Sequence, residues 1–341
     1  MVGRGHQVWV YQSSRHPFAG ECWKGVRLLR QPDPEGRLGT FGQFIYDFFC
    51  LLDARRRGFD ILLQLGYTSN AIWFMAWPSG PVNIIHMDGL EWKRTKYSLP
   101  VRYFLRWMER LAAHQGDVLV ADSKAISSHL ERACRRFAEY IPYGAPAVPA
   151  RDEKALARFE VDPGQYYLAI ARMVPENNLE PVIEGVLDGE GLLPILVVGD
   201  TDTRNGRYLE NRYGGNGRVR FPGGIFEPDV VNSLRSFARL YFHGHSVGGT
   251  NPSLLEAMAC GVPICAHDNV FNRSVLEEQA FYFKASGDIS RLLAGWPYHQ
   301  ERAKAWAEHN RQKAKTEYSW QRVADSYEAL FLKHAKPKIS I

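Results

Sequence analysis

The run "HSVGGTNPSLLEAMACGVP", from His245 to Pro263, holds two adjacent glycines, two prolines and one charged side chain, Glu256. Asn251 is a good N-cap, and Pro252 suits the first helical position, where its missing N–H costs nothing. Gly261 followed by Pro263 is a stop signal, so the spacing predicts a helix over about Pro252 to Cys260. Gly248, Gly249 and Thr250 come just before it. Glycines there take positive φ and let the backbone approach a ligand closely. Free N–H groups and the helix dipole then favour an anion such as phosphate. An ordinary tight turn between a strand and a helix has the same spacing. Glu256 lies on the next turn; its carboxylate suits a pair of vicinal hydroxyls, or it simply faces solvent. His243 and His245, with His267 and Asp268 downstream, have the residue types of a metal site. Alternation along a strand puts both rings on one face. No third ligand is fixed by spacing, and packing beneath the glycine turn is the competing reading.

These residues have to be positioned by something, and the chain alternates strands and helices throughout. "HQVWVY", "DILLQLG", "VNIIHMDG" and "DVLVADS" read as strands of a first half. "QFIYDFFCLLDARR", "PVRYFLRWMERLAAHQG" and "KAISSHLERACRRF" read as its helices, with Ser123 as a cap. "GAPAVPARDEKALARFEVDPGQ" is the linker candidate. The pattern then restarts with the strands "YYLAIAR", "LPILVVGD", "GRVRFPGG", "RLYFHG" and "VPICAHD". Between them lie the helices "NLEPVIEGVL", "EPDVVNSLRSFA" and "NPSLLEAMAC". This order predicts an α/β protein with two doubly wound parallel sheets. The domains expected are 1–148 and 149–317, with a helical tail over 318–341 completing the first. Such folds bind ligands beyond the carboxyl ends of their strands. The informative loops therefore start near His86, Asp122, Arg172, Gly199, Gly223 and Gly248.

Composition excludes several classes. The 341 residues are 45% hydrophobic and 23% charged, ordinary values for a globular protein with room for two cores. The net charge of +5 comes without a basic stripe or zinc-finger spacing, which argues against nucleic acid. Five scattered cysteines without a CxxC pair suggest neither a disulfide framework nor a zinc site. A reducing, cytoplasmic setting fits best. The N-terminus does not read as a signal peptide. No apolar run reaches the roughly 20 residues that span a bilayer. "EWKRTKYSLPVRYFLRWMERLAAH" interleaves basic and aromatic residues. It reads either as a surface helix at a membrane or as a partly buried helix with a solvated basic face.

"NPSLLEAMACGVPICAHDNVFNRSVL", "YFHGHSVGGT", "MDGLEWKR", "VADSKAI", "YIPYGA" and "ARMVPENN" occur together and in order. In this the chain resembles retaining glycosyltransferases of the GT-B fold, family GT4, and more narrowly their rhamnosyltransferase-type, DUF1972-containing branch. The resemblance runs from about Gly39 to about Phe283. It implies two Rossmann-like domains facing across a cleft. It also implies a nucleotide-diphosphate sugar, UDP- or dTDP-linked, as donor, with no metal and no further cofactor. The acceptor it implies is a glycan or a lipid-linked glycan. The setting would be polysaccharide assembly at the inner face of the membrane, with peripheral contact and oligomers as further expectations.

Residue by residue, Glu256 matches the second glutamate of the family's Glu-x7-Glu motif, which binds the ribose. Gly248 stands where the first glutamate is usual, leaving the backbone groups of Gly248, Gly249 and Thr250 and the side chain of Asn251 as substitutes at the donor sugar. Arg172 matches the diphosphate-binding arginine. Asn177 and Asn178 stand where a lysine is usual, and Arg273 is a candidate to replace that charge. Gly224, Ile225 and Phe226, in "FPGGIF", match the turn that contacts the base. His86 and Asp88 are candidates for the residue that touches the donor sugar or the acceptor. Members of the family open with a strand, a glycine-rich loop and a helix before a "GHxVxVY"-like strand. Here "GRGHQVWVY" stands at the start, so that unit is expected to be lacking. Two alternatives stay open: a non-catalytic sugar-nucleotide-binding protein, and a sugar-nucleotide epimerase of the same fold.

Overall fold

A computed structural model describes residues 1–94, 96–147, 151–189 and 191–335. They form two compact units. The first comprises residues 1–93, 97–141 and the segment from Ala324 onward; the second comprises residues 142–323 with 94–96. The boundary expected between residues 148 and 149 lies outside the described residues.

The first unit begins with β1 (Trp9–Ser13), β2 (Cys22–Trp23) and β3 (Val26–Gln31), followed by α1 (Glu35–Leu38) and α2 (Phe41–Ala54). Next come β4 (Ile61–Gln64), β5 (Val82–His86), α3 (Leu99–Gln115), β6 (Val118–Ala121), α4 (Lys124–Cys134) and β7 (Glu139–Tyr140). Its strands fall into two sheets, not one. β1 pairs in parallel with β3, and β3 pairs with β2 through a turn in which Lys24 and Gly25 both take positive φ. β4-β5-β6-β7 form a separate parallel sheet. β5 is buried along its whole length, as a central parallel strand must be. Ser123 caps α4 as its residue type predicts, its hydroxyl accepting from the Ile126 N–H at 3.2 Å.

The second unit continues with β8 (Tyr167–Ile170), α5 (Leu179–Asp188), β9 (Ile195–Val198), α6 (Arg204–Tyr213) and β10 (Val219–Arg220). It goes on through α7 (Pro228–Phe237), β11 (Leu240–His243), α8 (Pro252–Cys260), β12 (Ile264–His267) and α9 (Val270–Leu276). β13 (Phe281–Phe283), α10 (Ser286–Ala294), α11 (Trp296–Glu317) and α12 (Trp320–His334) complete the chain, α12 passing into the first unit. The sheet is wholly parallel, in the order β10-β9-β8-β11-β12-β13. Successive side chains of each strand enter opposite cores. Leu168, Tyr241 and Ile264 pack on one face; Tyr167, Phe242 and Cys265 pack on the other. This two-sided burial explains why the strands read as continuous apolar runs. The predicted strand "GRVRFPGG" pairs over only two residues, because Pro222 and Gly223 end the ladder. The tail divides at Tyr318 and Ser319, where the Tyr318 carbonyl leaves the helix to accept from the Ala145 N–H at 2.5 Å.

Candidate functional site

The strand order in the second unit's sheet reverses between β8 and β11. From β8 the chain steps outward to β9 and β10, then returns to β11 and continues to β12 and β13 on the other side. Loops leaving the carboxyl ends of β8 and β11 meet at this point, where an open α/β sheet usually has its ligand crevice. Arg172 lies on one of these loops and Gly248 on the other.

The β11 loop ends in α8, which spans Pro252 to Cys260 as the sequence predicts. The Asn251 side chain accepts from the Ser253 N–H at 2.9 Å, Pro252 takes the first turn, and Gly261 closes the helix at φ 69°. Gly248 has φ 132° with open space where a Cβ would stand, so the position requires glycine for its conformation, not for room. Thr250 is buried. The loop is pinned from behind, with Asn269 and Asn272 donating to the His245 carbonyl at 2.9 and 3.0 Å.

Arg172 is exposed, and its loop is tied to the β11 loop by backbone contacts. The Asn177 amide donates to the Arg172 carbonyl at 2.6 Å, and the Asn178 amide donates to the Gly244 carbonyl at 2.7 Å. Ser246 donates to the Glu176 carbonyl through both its N–H and its hydroxyl. Asn177, expected among the phosphate-side donors, is instead buried, with its side-chain amide committed to backbone. It shapes the loop. The guanidinium of Arg273, the candidate to replace the lysine, is paired with Asp268 at 2.5 Å and lies over the Tyr282 ring at 4.1 Å. Gly244 fits where nothing larger can, since an added Cβ would collide with the Asn177 carbonyl. Gly244→Ala is therefore expected to cost about 1–3 kcal/mol by overpacking and to weaken ligand binding, because the shift reaches Arg172 through Asn177. Thermal melting and ligand titration of the variant check both effects.

Glu256 stands on the second turn of α8, with its side chain 32% exposed. Its Oε2 is 2.5 Å from Nη2 of Arg235 on α7, a guanidinium only 4% exposed. Arg235 was not singled out in the sequence; the one available signal is a cation inside an otherwise apolar helix end, "SLRSF". Gly224, Ile225 and Phe226 follow β10 on the same edge of the sheet. Ile225 packs on the core while Phe226 is 90% exposed.

His243 and His245 stack with ring centroids 4.5 Å apart and 13° between planes. Among the described residues, neither nitrogen of the buried His243 ring has a hydrogen-bond partner. Burial first, then His245 and Arg235, hold the His243 imidazole well below its ordinary range. Burial first, then the charges of Arg172 and Arg94, lower His245 to about 4. Both rings are thus neutral at pH 7. An unfolded chain takes up these protons near pH ~6.5, whereas the folded protein resists until about pH 4 at His245. Stability is therefore expected to fall on acidification through this window. A melting-temperature series against pH checks it, and His245→Gln is expected to flatten the slope. Among the described residues no three His, Cys, Asp or Glu side chains converge on a common metal position.

His86 and Asp88 belong to the first unit. His86 ends β5 and is 5% exposed; burial lowers its pKa, offset in part by Asp88. Asp88 is exposed on the following turn, where Gly89 takes φ 67° and its carbonyl accepts from the buried Tyr67 hydroxyl at 3.1 Å.

Residues 80–146 match a family described as "Domain of unknown function (DUF1972)", and residues 152–313 match "Glycosyl transferases group 1". No curated protein matches the sequence. Among solved structures, sucrose-phosphate synthase from Thermosynechococcus elongatus is similar over 97% of this chain and 90% of its own, at 15% identity and a TM-score of 0.78. WaaG, a glycosyltransferase involved in lipopolysaccharide biosynthesis, is similar over 96% of this chain and 92% of its own, at 17% identity and a TM-score of 0.74. Alr3699/HepE of Anabaena, in complex with UDP-glucose, is similar over 89% of this chain and 86% of its own, at 15% identity and a TM-score of 0.72.

Proposed function

With the chain a DUF1972-containing glycosyltransferase of the GT-B fold, we propose that it moves a sugar, with retention at the anomeric carbon, from a nucleoside diphosphate sugar to a glycan or lipid-linked acceptor. The observation that carries this reading is the grouping at the β8/β11 crevice. Arg172 and the N-terminus of α8 are loop neighbours there, and Glu256 lies one turn further along the same helix. The diphosphate leaving group gains negative charge as the glycosidic bond breaks. A guanidinium and a set of aligned N–H groups stabilise that charge without a metal ion. The leaving oxygen can itself take the proton of the incoming hydroxyl on the same sugar face, so the reading needs no separate nucleophile. Gly248 leaves the sugar side of the crevice to backbone N–H groups and to Asn251. In the first unit, Asp88 is our candidate for the side chain that meets donor sugar or acceptor, with His86 behind it.

One set of observations favours a second reading, a binding protein without turnover. Gly248 brings no carboxylate, and Asn177 and Asn178 are committed to backbone. A thermal-shift screen over UDP, dTDP, GDP and ADP, followed by a donor-hydrolysis assay with and without acceptor, separates the two. Stabilisation with sugar release supports the transferase. Stabilisation without release under any acceptor condition leaves the binding protein, and no stabilisation by any nucleotide overturns both.

The lipid-linked acceptor has a candidate surface of its own. On α3, Leu99, Tyr103 and Trp107 are 65%, 72% and 53% exposed, interleaved with exposed Arg106 and Arg110. Such a stripe supports the reading of an interfacial helix, and no helix among the described residues is long and apolar enough to cross a membrane. Sedimentation with anionic vesicles is expected to retain the protein and to release the Trp107→Ser variant.

A further inference from the structure

We propose that Arg235 is the positioning residue that aims the Glu256 carboxylate at the nucleotide's ribose. This rests on the donor reading above. Ser253 and Glu256 are three residues apart, on one face of α8. Arg235 Nη2 reaches both, at 3.3 Å from the Ser253 hydroxyl and 2.5 Å from Glu256 Oε2. The Ser253 hydroxyl is 2.8 Å from the Tyr241 hydroxyl on β11, which donates in turn to the Ile170 carbonyl at the end of β8, at 3.3 Å. A continuous polar chain thus runs from the switch-point strand through β11, α8 and α7 to the carboxylate. Every link sits on a helix or strand, and Arg235 is 4% exposed.

A buried guanidinium is costly unless paired. Here its partner is a carboxylate that remains a third exposed, so one end of the pair is fixed and the other faces out. Arg235 Nη2 lies against Oε2. Each carboxylate oxygen can accept more than one hydrogen bond, so the fixed group still offers acceptors to two vicinal hydroxyls. A glutamate free in solution must find that rotamer when it binds; this one is held in it beforehand, which is how a supporting residue raises affinity without touching the ligand.

The test compares dissociation constants for UDP and for 2′,3′-dideoxy-UDP by calorimetry. The wild type is expected to prefer UDP by about tenfold to hundredfold, the usual range for hydrogen bonds to a charged group. Arg235→Met with Glu256→Met leaves no unpaired charge and is expected to bring the ratio close to one. Arg235→Met alone leaves only the partly exposed carboxylate. It is expected to lower the ratio at least threefold, with Arg235→Lys in between because an ammonium cannot reproduce the fork. If Arg235→Met weakens both nucleotides equally and keeps the wild-type ratio, Arg235 is merely structural and the inference is overturned. Should Arg235→Met not purify folded, Arg235→Lys decides alone: an unchanged ratio overturns the inference. A wild-type ratio near one would instead overturn the ribose assignment of Glu256, and a failure to bind any of UDP, dTDP, GDP and ADP would overturn the donor reading itself.

Discussion

Replacing Arg172 by Met is expected to lower sugar transfer by about 10²–10³-fold, the range seen when one group that stabilises transition-state charge is removed. The melting temperature is expected to stay close to that of wild type. The two effects separate because the Arg172 side chain is exposed while its backbone is held by others. Its carbonyl accepts from the Asn177 amide at 2.6 Å and from the Val174 N–H at 2.8 Å. Removing the guanidinium therefore takes a charge from the crevice and leaves the loop in place. Arg172→Lys keeps the charge without the two-pronged geometry that suits a diphosphate, and its rate is expected to fall between the two. Steady-state kinetics with the donor identified by the nucleotide screen check this. A loss confined to KM would assign Arg172 to ground-state binding and would count against a part in leaving-group stabilisation.

Glu256→Ala is expected to destabilise the second unit by about 3–5 kcal/mol, because it strands a buried cation. At about 2–4 °C per kcal/mol for a unit of this size, the melting temperature should fall by about 10 °C. Arg235→Met is expected to cost much less, since the carboxylate it leaves behind reaches solvent. In the double variant Arg235→Met, Glu256→Met most of the loss should be recovered. That strongly non-additive pattern is the signature of a coupled pair, and thermal denaturation of the four proteins measures it. A Glu256→Ala protein as stable as wild type would show that Arg235 finds another partner. The same reasoning bears on assays: loss of nucleotide binding in Glu256→Ala mixes a lost hydroxyl contact with a disturbed helix, so the paired Met variants are the cleaner probe.

Much of this arrangement can be read from the sequence wherever the signal is local. The span of α8, its Asn251 cap and its Gly261 stop follow from residue types within a dozen positions. So do the Ser123 cap and the runs that become β8, β9, β11 and β12. Other features carry no such signal. α6 is missing from the sequence reading because "RNGRYLENRY" is polar, contains a glycine and buries only Gly206, Leu209 and Tyr213. The break at Tyr318 has no proline or glycine to announce it; it is made by a distant partner, the Ala145 N–H. The division of the first unit into two sheets is likewise a matter of strand pairing, which spacing does not fix. At the site, residue type showed that Asn177 could donate but not to what, and the fold turned it toward backbone. Arg235 lies on a different helix from Glu256, so only the tertiary structure joins them.

The strand order of the second unit has a consequence for how the protein becomes competent. β8 and β11 are neighbours in the sheet, yet Ile170 and Tyr241, which link across them, are 71 residues apart. Pairing across such a separation pays its loop-closure entropy before its contacts return anything, and it slows folding. The β8–β9–β10 half holds Arg172, and the β11–β12–β13 half holds the glycine turn, α8 and Glu256. Neither half alone brings the two loops together. If the proposed donor site is correct, the chain binds no nucleotide during synthesis until the two halves join, and the onset of nucleotide binding in a refolding experiment is expected to mark the closure of that one strand pair.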